Sequence, residues 1–151
     1  MKKVVFMFCI FLIVASEMQA QVEYKVITSV ESIVPAGLGR SRLISSEEDR
    51  DYKEFSSERS DDDDDSRNKS KRSDIRVKNF EETKLLNFYN LGGIRFQNIV
   101  ANDAVISSKI NAMVSEGWEL AFVTSAVESD AGKDDGNGIF VTRYIFKRNK
   151  E

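Results

Sequence analysis

Residues 113–125, MVSEGWELAFVTS, put a helix end, a glycine, the chain's only tryptophan and a run of alternating apolar residues into consecutive positions. Upstream, Ile106, Ile110, Met113 and Val114 recur at helical spacing, and Asn102 or Asp103 is placed to cap the N-terminus by accepting from free backbone amides. The pattern predicts a helix of about fourteen residues, roughly 21 Å long. Gly117 stops it, because a residue without a Cβ takes the left-handed conformation that closes helices. Downstream, Trp118, Leu120, Phe122 and Thr124 alternate with Glu119, Ala121, Val123 and Ser125, the period of a strand. Trp118 can serve as a ligand platform or as the seal of this helix–strand corner. Directly after the stopping glycine and in phase with Leu120 and Phe122, it reads as core packing, with Gly117 and Trp118 both structural.

Outward from the corner, the segment VEYKVITSVESIV, from Val22, alternates too. Val22, Tyr24, Val26 and Val30 fall on one side, Glu23, Lys25, Ser29 and Glu31 on the other, so it is a strand. Pro35, Gly37 and Gly39 end it. Nearer the helix, KLLNFYNLGGIRFQNIV predicts a short strand over 85–91, with Gly92 and Gly93 as a turn. After the corner strand, the loop ESDAGKDDGNG returns the chain to a last strand, IFVTRYIFKR. Both C-terminal strands are apolar on much of both faces, so each face calls for a cover: the helix on one, the segment at 84–100 or a second subunit on the other. The expected fold class is α+β, a small antiparallel sheet with one main helix packed on it, in the order β–insertion–α–β–β.

The insertion is the tract from Ser45 onward. Residues 45–74 hold twelve acidic and seven basic side chains, with only Tyr52 and Phe55 as sizeable apolar groups. Burial cannot repay the entropy of ordering such a composition, which predicts a disordered charged insertion over 45–77. A single α+β domain, 21–44 plus 78–151, is left to build the core.

The first twenty residues, MKKVVFMFCIFLIVASEMQA, have two lysines, an apolar run from Val4 to Ala15 and a small residue, Ala20, before Gln21. That is the layout of a signal peptide cut after Ala20, which predicts an exported protein, periplasmic or secreted, with no stable membrane span once the leader is removed. Cys9, the only cysteine, lies inside the leader. The mature chain then has no thiol for a disulfide, a nucleophile or a metal, and the chain has no histidine, so imidazole catalysis and ligation are excluded as well. Without Lys2, Lys3 and Glu17, the 22 basic and 25 acidic side chains become 20 and 24, a net charge of −4. That balance argues against nucleic acid as a partner.

The segments EYKVIT, SEGWELAFV and YIFKR, in that order, resemble a family of small bacterial domains of unknown function marked by YKVV, EGWELV and FKR segments. The resemblance covers residues 22–30 and about 103–148 and implies a compact sheet-and-helix domain. It brings no catalytic residue, substrate or cofactor. The leader and the long insertion depart from the short family pattern.

Few residues carry recognisable chemistry. Glu116 and Glu119 flank Trp118, but no spacing rule makes them converge as paired carboxylates. Counting SDAGKDDGNGIF as a calcium loop from Asp130 puts Gly132 and Val141 where oxygen ligands are needed; counting from Ala131 loses the first ligand. Asp130, Asp134 and Asp135 therefore read as a hairpin connection, with Gly136 and Gly138 for positive φ, and no metal is expected. Asp61 to Asp65 read as a solvated charge run. SRNK, Ser66 to Lys69, matches a serine–lysine pair only formally, lacking a rigid, desolvated setting. Arg40 and Arg42 in GLGRSR, together with Arg95 and Arg143, form the most suggestive polar set, suited to a phosphate or carboxylate. GLGR lacks the strand–loop–helix context of a nucleotide loop, and salt bridges are the plainer reading. The expected function is a non-enzymatic binding or interaction module with no cofactor, its partner an unidentified protein or a second copy of itself. The alternative is a carbohydrate-active or hydrolytic enzyme using carboxylates near Trp118.

Overall fold

The computed structural model of the chain describes residues 21–34, 41–58, 68–128 and 138–150. The leader, Pro35 to Arg40, the Asp61 to Asp65 run, Ser66 and the aspartates of the 129–137 loop lie outside the described residues. Five antiparallel strands form one sheet: β1 (Val22–Ser32), β2 (Arg42–Ser46), β3 (Phe80–Lys84), β6 (Glu119–Glu128) and β7 (Ile139–Asn149), in the spatial order β3-β2-β1-β7-β6. The two long strands β1 and β7 pair along their whole lengths, from Val22↔Asn149 to Ser32↔Ile139. A hairpin of β4 (Tyr89–Asn90) and β5 (Gly93–Ile94) precedes the long helix α2 (Phe96–Ser115), and a short helix α1 (Arg72–Ile75) lies in the insertion. The fold is α+β, dominated by its sheet. β2 and β3 add two strands to the predicted order. The post-insertion segment joins the sheet as an edge strand at Phe80–Lys84 and leaves residues 85–88 irregular, where a strand over 85–91 was expected.

α2 lies against one face of the sheet. Ile106 and Met113 from the helix meet Ile27, Leu43 and Phe146 from three strands, with Leu85 and Trp118 closing the ends of this core. In β1 the buried residues are Ile27, Ser29 and Glu31, with Ser32 at the strand's end, which makes the mostly polar side the inward one and leaves Val22, Tyr24 and Val26 exposed. The C-terminus of α2 shows why residues 113–118 fold as they do. Gly117 takes φ +84°, its N–H donates to Val114 O (3.0 Å), and the Trp118 N–H donates to Met113 O (3.0 Å). These two bonds make a Schellman motif, and its hydrophobic contact is Met113 with Trp118, both in the core.

The helix starts well before the predicted cap at Asn102 or Asp103. Arg95 occupies the N-cap without a side-chain bond, and Asn102 is an interior, buried helix residue. The strand after the corner also changes phase. A bulge between Leu120 and Phe122 makes Phe122 pair with Ile145 and Val123 with Tyr144. Phe122 and Thr124 thus join the face of Glu119, and Val123, Ser125 and Val127 join that of Leu120, because one extra residue reverses every later side chain.

The described flanks of the charged tract have defined backbone where disorder was expected over 45–77. β2 continues to Ser46, a 3₁₀ turn spans Tyr52–Phe55 with Asp51 Oδ1 accepting from Lys53 N, and α1 follows. Glu47 N–H donates to Asn79 O (3.2 Å), and Asn79 N–H to Glu48 Oε1 (2.8 Å), closing the excursion at its base. Asn68 closes it again by donating to Glu54 O (2.6 Å) and Ser56 O (3.2 Å). Neither the turn nor α1 buries a residue, so local polar bonds, which composition does not report, hold these segments.

Candidate functional site

Register places a second set of side chains on the face away from α2. Phe80, Ser46, Ile145 and Phe122 lie toward one end, Glu82, Ile44, Thr28, Arg143 and Thr124 across the middle, Lys84, Arg42, Val30, Val141 and Ala126 beyond them. Val26, Tyr24 and Val22 continue it along β1. Among the described residues nothing is packed over this face. Tyr24 is 66% exposed and Phe122 60%, and Val22, Val26 and Phe80 are exposed as well. β6 is exposed at every position and forms one edge of the sheet, so the open face runs on into an open edge.

Charges are sparse on this surface and mostly matched. Arg42 Nε donates to Glu82 Oε1 (2.6 Å), and Lys147 pairs with Glu119 (3.4 Å). Arg143, exposed in the middle of β7 between Thr28 and Thr124, makes no ion pair among the described residues. The predicted arginine set does not converge. Arg42 and Arg143 share the open face but stand two strands apart, Arg95 caps α2 with its N–H donating to Phe88 O (2.8 Å), and Arg40 lies outside the described residues.

Trp118 is buried, 8% exposed. One face of its ring carries the Arg148 guanidinium, with Cζ 4.2 Å from the centroid, and Arg148 in turn is ion-paired with Glu23. A cation over the indole face is attracted by the ring's quadrupole and shields it from water. Glu116, Gly117, Glu23, Arg148, Asn149 and Lys150 line a polar cleft of about 590 Å³ next to this stack. Its two carboxylates face two cations, and Glu23 is already engaged. Glu119 belongs to the opposite side of the sheet, so Glu116 and Glu119 do not form a pair.

Beneath α2 the structure assembles a polar centre that sequence reading missed. Asn102 Nδ2 donates to Glu31 Oε1 and to Leu86 O, and its Oδ1 accepts from Leu86 N–H, each at 2.8 Å. Its amide thus pairs with the Leu86 backbone as a strand neighbour would. Glu31 is buried, and desolvation pushes its carboxyl above the usual carboxylate range, against the Asn102 hydrogen bond and with help from nearby Asp103. Burial likewise raises the Tyr144 phenol. Ser29 Oγ is buried next to the Tyr144 phenol, whose rise that neighbouring hydroxyl opposes. Beside it, Ser32 N–H donates to Ser41 Oγ (2.9 Å), which donates to Asn87 Oδ1 (2.6 Å). The legible signal was Asn102 lying one helical turn before Ile106 and two before Ile110, in the buried stripe, where a cap residue has no place.

Among the described residues no group of three or more side chains is placed to hold a metal ion, and no helix is long and apolar enough to cross a membrane. No protein-family model, curated protein or solved structure matches the chain.

Proposed function

We propose that the chain is an exported, non-enzymatic interaction module that binds a second copy of itself through the open face of its sheet. The carrying observation is the asymmetry of the two faces: α2 covers one, and an apolar field from Phe80 to Phe122 is left exposed on the other. At ordinary strand spacing and rise, the five strands present roughly 650 Å² of sheet plane. That is close to the ~800 Å² per partner of a standard stable interface. Two such faces stack as a β-sandwich, with side chains interdigitating between sheets. In this reading residues 1–20 direct export to the periplasm or beyond, and the chain is an exported member of the small-domain family that its YKV, EGWEL and FKR segments resemble.

The rival reading, a carbohydrate-active or hydrolytic enzyme around Trp118, needs an indole open to a groove lined by converging acids. The indole here lies under Arg148, and Glu119 points to the other face. Size-exclusion chromatography with light scattering tests self-association. The expected result is a dimer mass for the leader-free chain, reduced to a monomer mass by Phe122→Glu with an unchanged circular dichroism spectrum. A chain that stays monomeric at hundreds of micromolar would sink the proposal.

A further inference from the structure

We propose that Gln21 is a modification site: cleavage after Ala20 exposes its α-amine, and its side-chain amide closes on that amine to give a pyroglutamyl N-terminus. This rests on one part of the export reading, the cut between Ala20 and Gln21 in EMQA-QVEYK. The chemistry needs no partner molecule. The neutral α-nitrogen attacks Cδ of the same residue, a C–N bond forms a five-membered lactam, the bond from Cδ to the amide nitrogen breaks, and that nitrogen leaves as ammonia, carrying a proton given up by the amine. Nucleophile and electrophile belong to one residue, so the step has the effective concentration of an intramolecular reaction. With an α-amine pKa near 7.7–8.0, roughly a tenth of the termini are neutral and reactive at pH 7.

Among the described residues, Gln21 is held at its carbonyl, an atom that takes no part in ring closure. β1 begins at Val22, so Gln21 precedes the ladder, and it is exposed. Its carbonyl oxygen accepts from Lys150 N–H (2.6 Å), which extends the β1–β7 pairing past Val22↔Asn149. Ring closure uses the α-nitrogen and the side chain and keeps that carbonyl in place. It also removes a positive charge opposite Lys150, at a sheet end where Lys147 and Arg148 are already paired with Glu119 and Glu23. Like charges on neighbouring strands are destabilising, so the lactam suits the folded end better than an ammonium does. An exported chain capped in this way offers no free amine to aminopeptidases.

Intact mass spectrometry on the full chain, expressed with its leader and purified from the export compartment, tests this. The expected mass is that of residues 21–151 less one ammonia, with a terminus blocked to stepwise amino-terminal degradation. A Gln21→Ser variant should be cut at the same bond and remain readable. Residues 21–151 at full mass, with glutamine in the first cycle after days at neutral pH, would overturn cyclisation and leave the export reading standing. A chain that starts at Met1, or anywhere but Gln21, would overturn the cleavage reading and this proposal with it.

Discussion

Asn102 holds three partners that do not otherwise meet: the donor and acceptor of the Leu86 backbone and the Glu31 carboxyl. Asn102→Ala leaves all three buried or half-buried without replacement, and an unmet buried polar group costs about 1–3 kcal/mol. A loss of about 2–4 kcal/mol in urea unfolding is expected; a change below about 0.5 kcal/mol would mean water replaces the amide. Glu31 gives a pH dependence of defined sign. Its folded-state pKa is raised above the ordinary 4.5, so its protonation favours the fold fully below about that value, and the contribution is lost as pH rises through the folded value. Glu81 acts oppositely, its carboxyl lowered by the Lys109 hydrogen bond, so wild type must be compared with a variant. Glu31→Gln can still accept from Asn102 and carries no charge to desolvate. Its stability relative to wild type should rise with pH from acid to neutral, read as the difference between two urea midpoints at each pH. A flat difference would place Glu31 in contact with water.

At the scale of elements, the corner at 113–118 was legible because its cause is local: Gly117 at φ +84° and two capping bonds within one turn. Gly117→Ala forces a Cβ into left-handed backbone with open space around it, so strain alone should act, a loss of about 1–2 kcal/mol in the same unfolding assay. The strand after it was legible as a strand and illegible in phase, since a bulge is fixed by pairing with β7, and strict alternation gives no sign of it. Deleting Ala121 tests that cause. It leaves Leu120↔Phe146 and Phe122↔Ile145 as consecutive pairs, so the later side chains should keep their faces and their register, and the thermal midpoint should move by only a few degrees; loss of the folded state would mean that the bulge itself is required. β2 and β3 escaped notice because five-residue strands with serines and glutamates look like loop. The start of α2 was misplaced because Asn102 has the chemistry of a cap and the position of a core residue. The inward side of β1 was not legible either: Ser29 and Glu31 face the helix because Tyr144 and Asn102 lie there, partners that come from far along the chain.

For the whole molecule, the proposed self-association through the open face would rest on residues other than those that stabilise the fold. Phe146 and Met113 lie beneath the helix, whereas Phe122 and Tyr24 lie on the other side, so changes to the second pair should alter assembly and leave the fold intact. Arg143 distinguishes the two kinds of partner such a face could be proposed to accept. It stands near the middle of the sheet, has no anion beside it among the described residues, and lies between Thr28 and Thr124 across strands and between Val141 and Ile145 along its own. Against a second copy, a two-fold axis near the middle of the face brings two guanidiniums together in a partly dry interface, a penalty that removal of the charge relieves. Against an acidic partner, the same guanidinium would supply the main attraction, and added salt would weaken binding. Arg143→Leu should therefore tighten the dimer, lowering its dissociation constant about tenfold, or 1.4 kcal/mol, as read by sedimentation equilibrium, and salt should strengthen wild-type association by screening the two charges. If Arg143→Leu instead weakens assembly and salt dissolves it, the face is built for an anionic surface, and self-association is the wrong occupant.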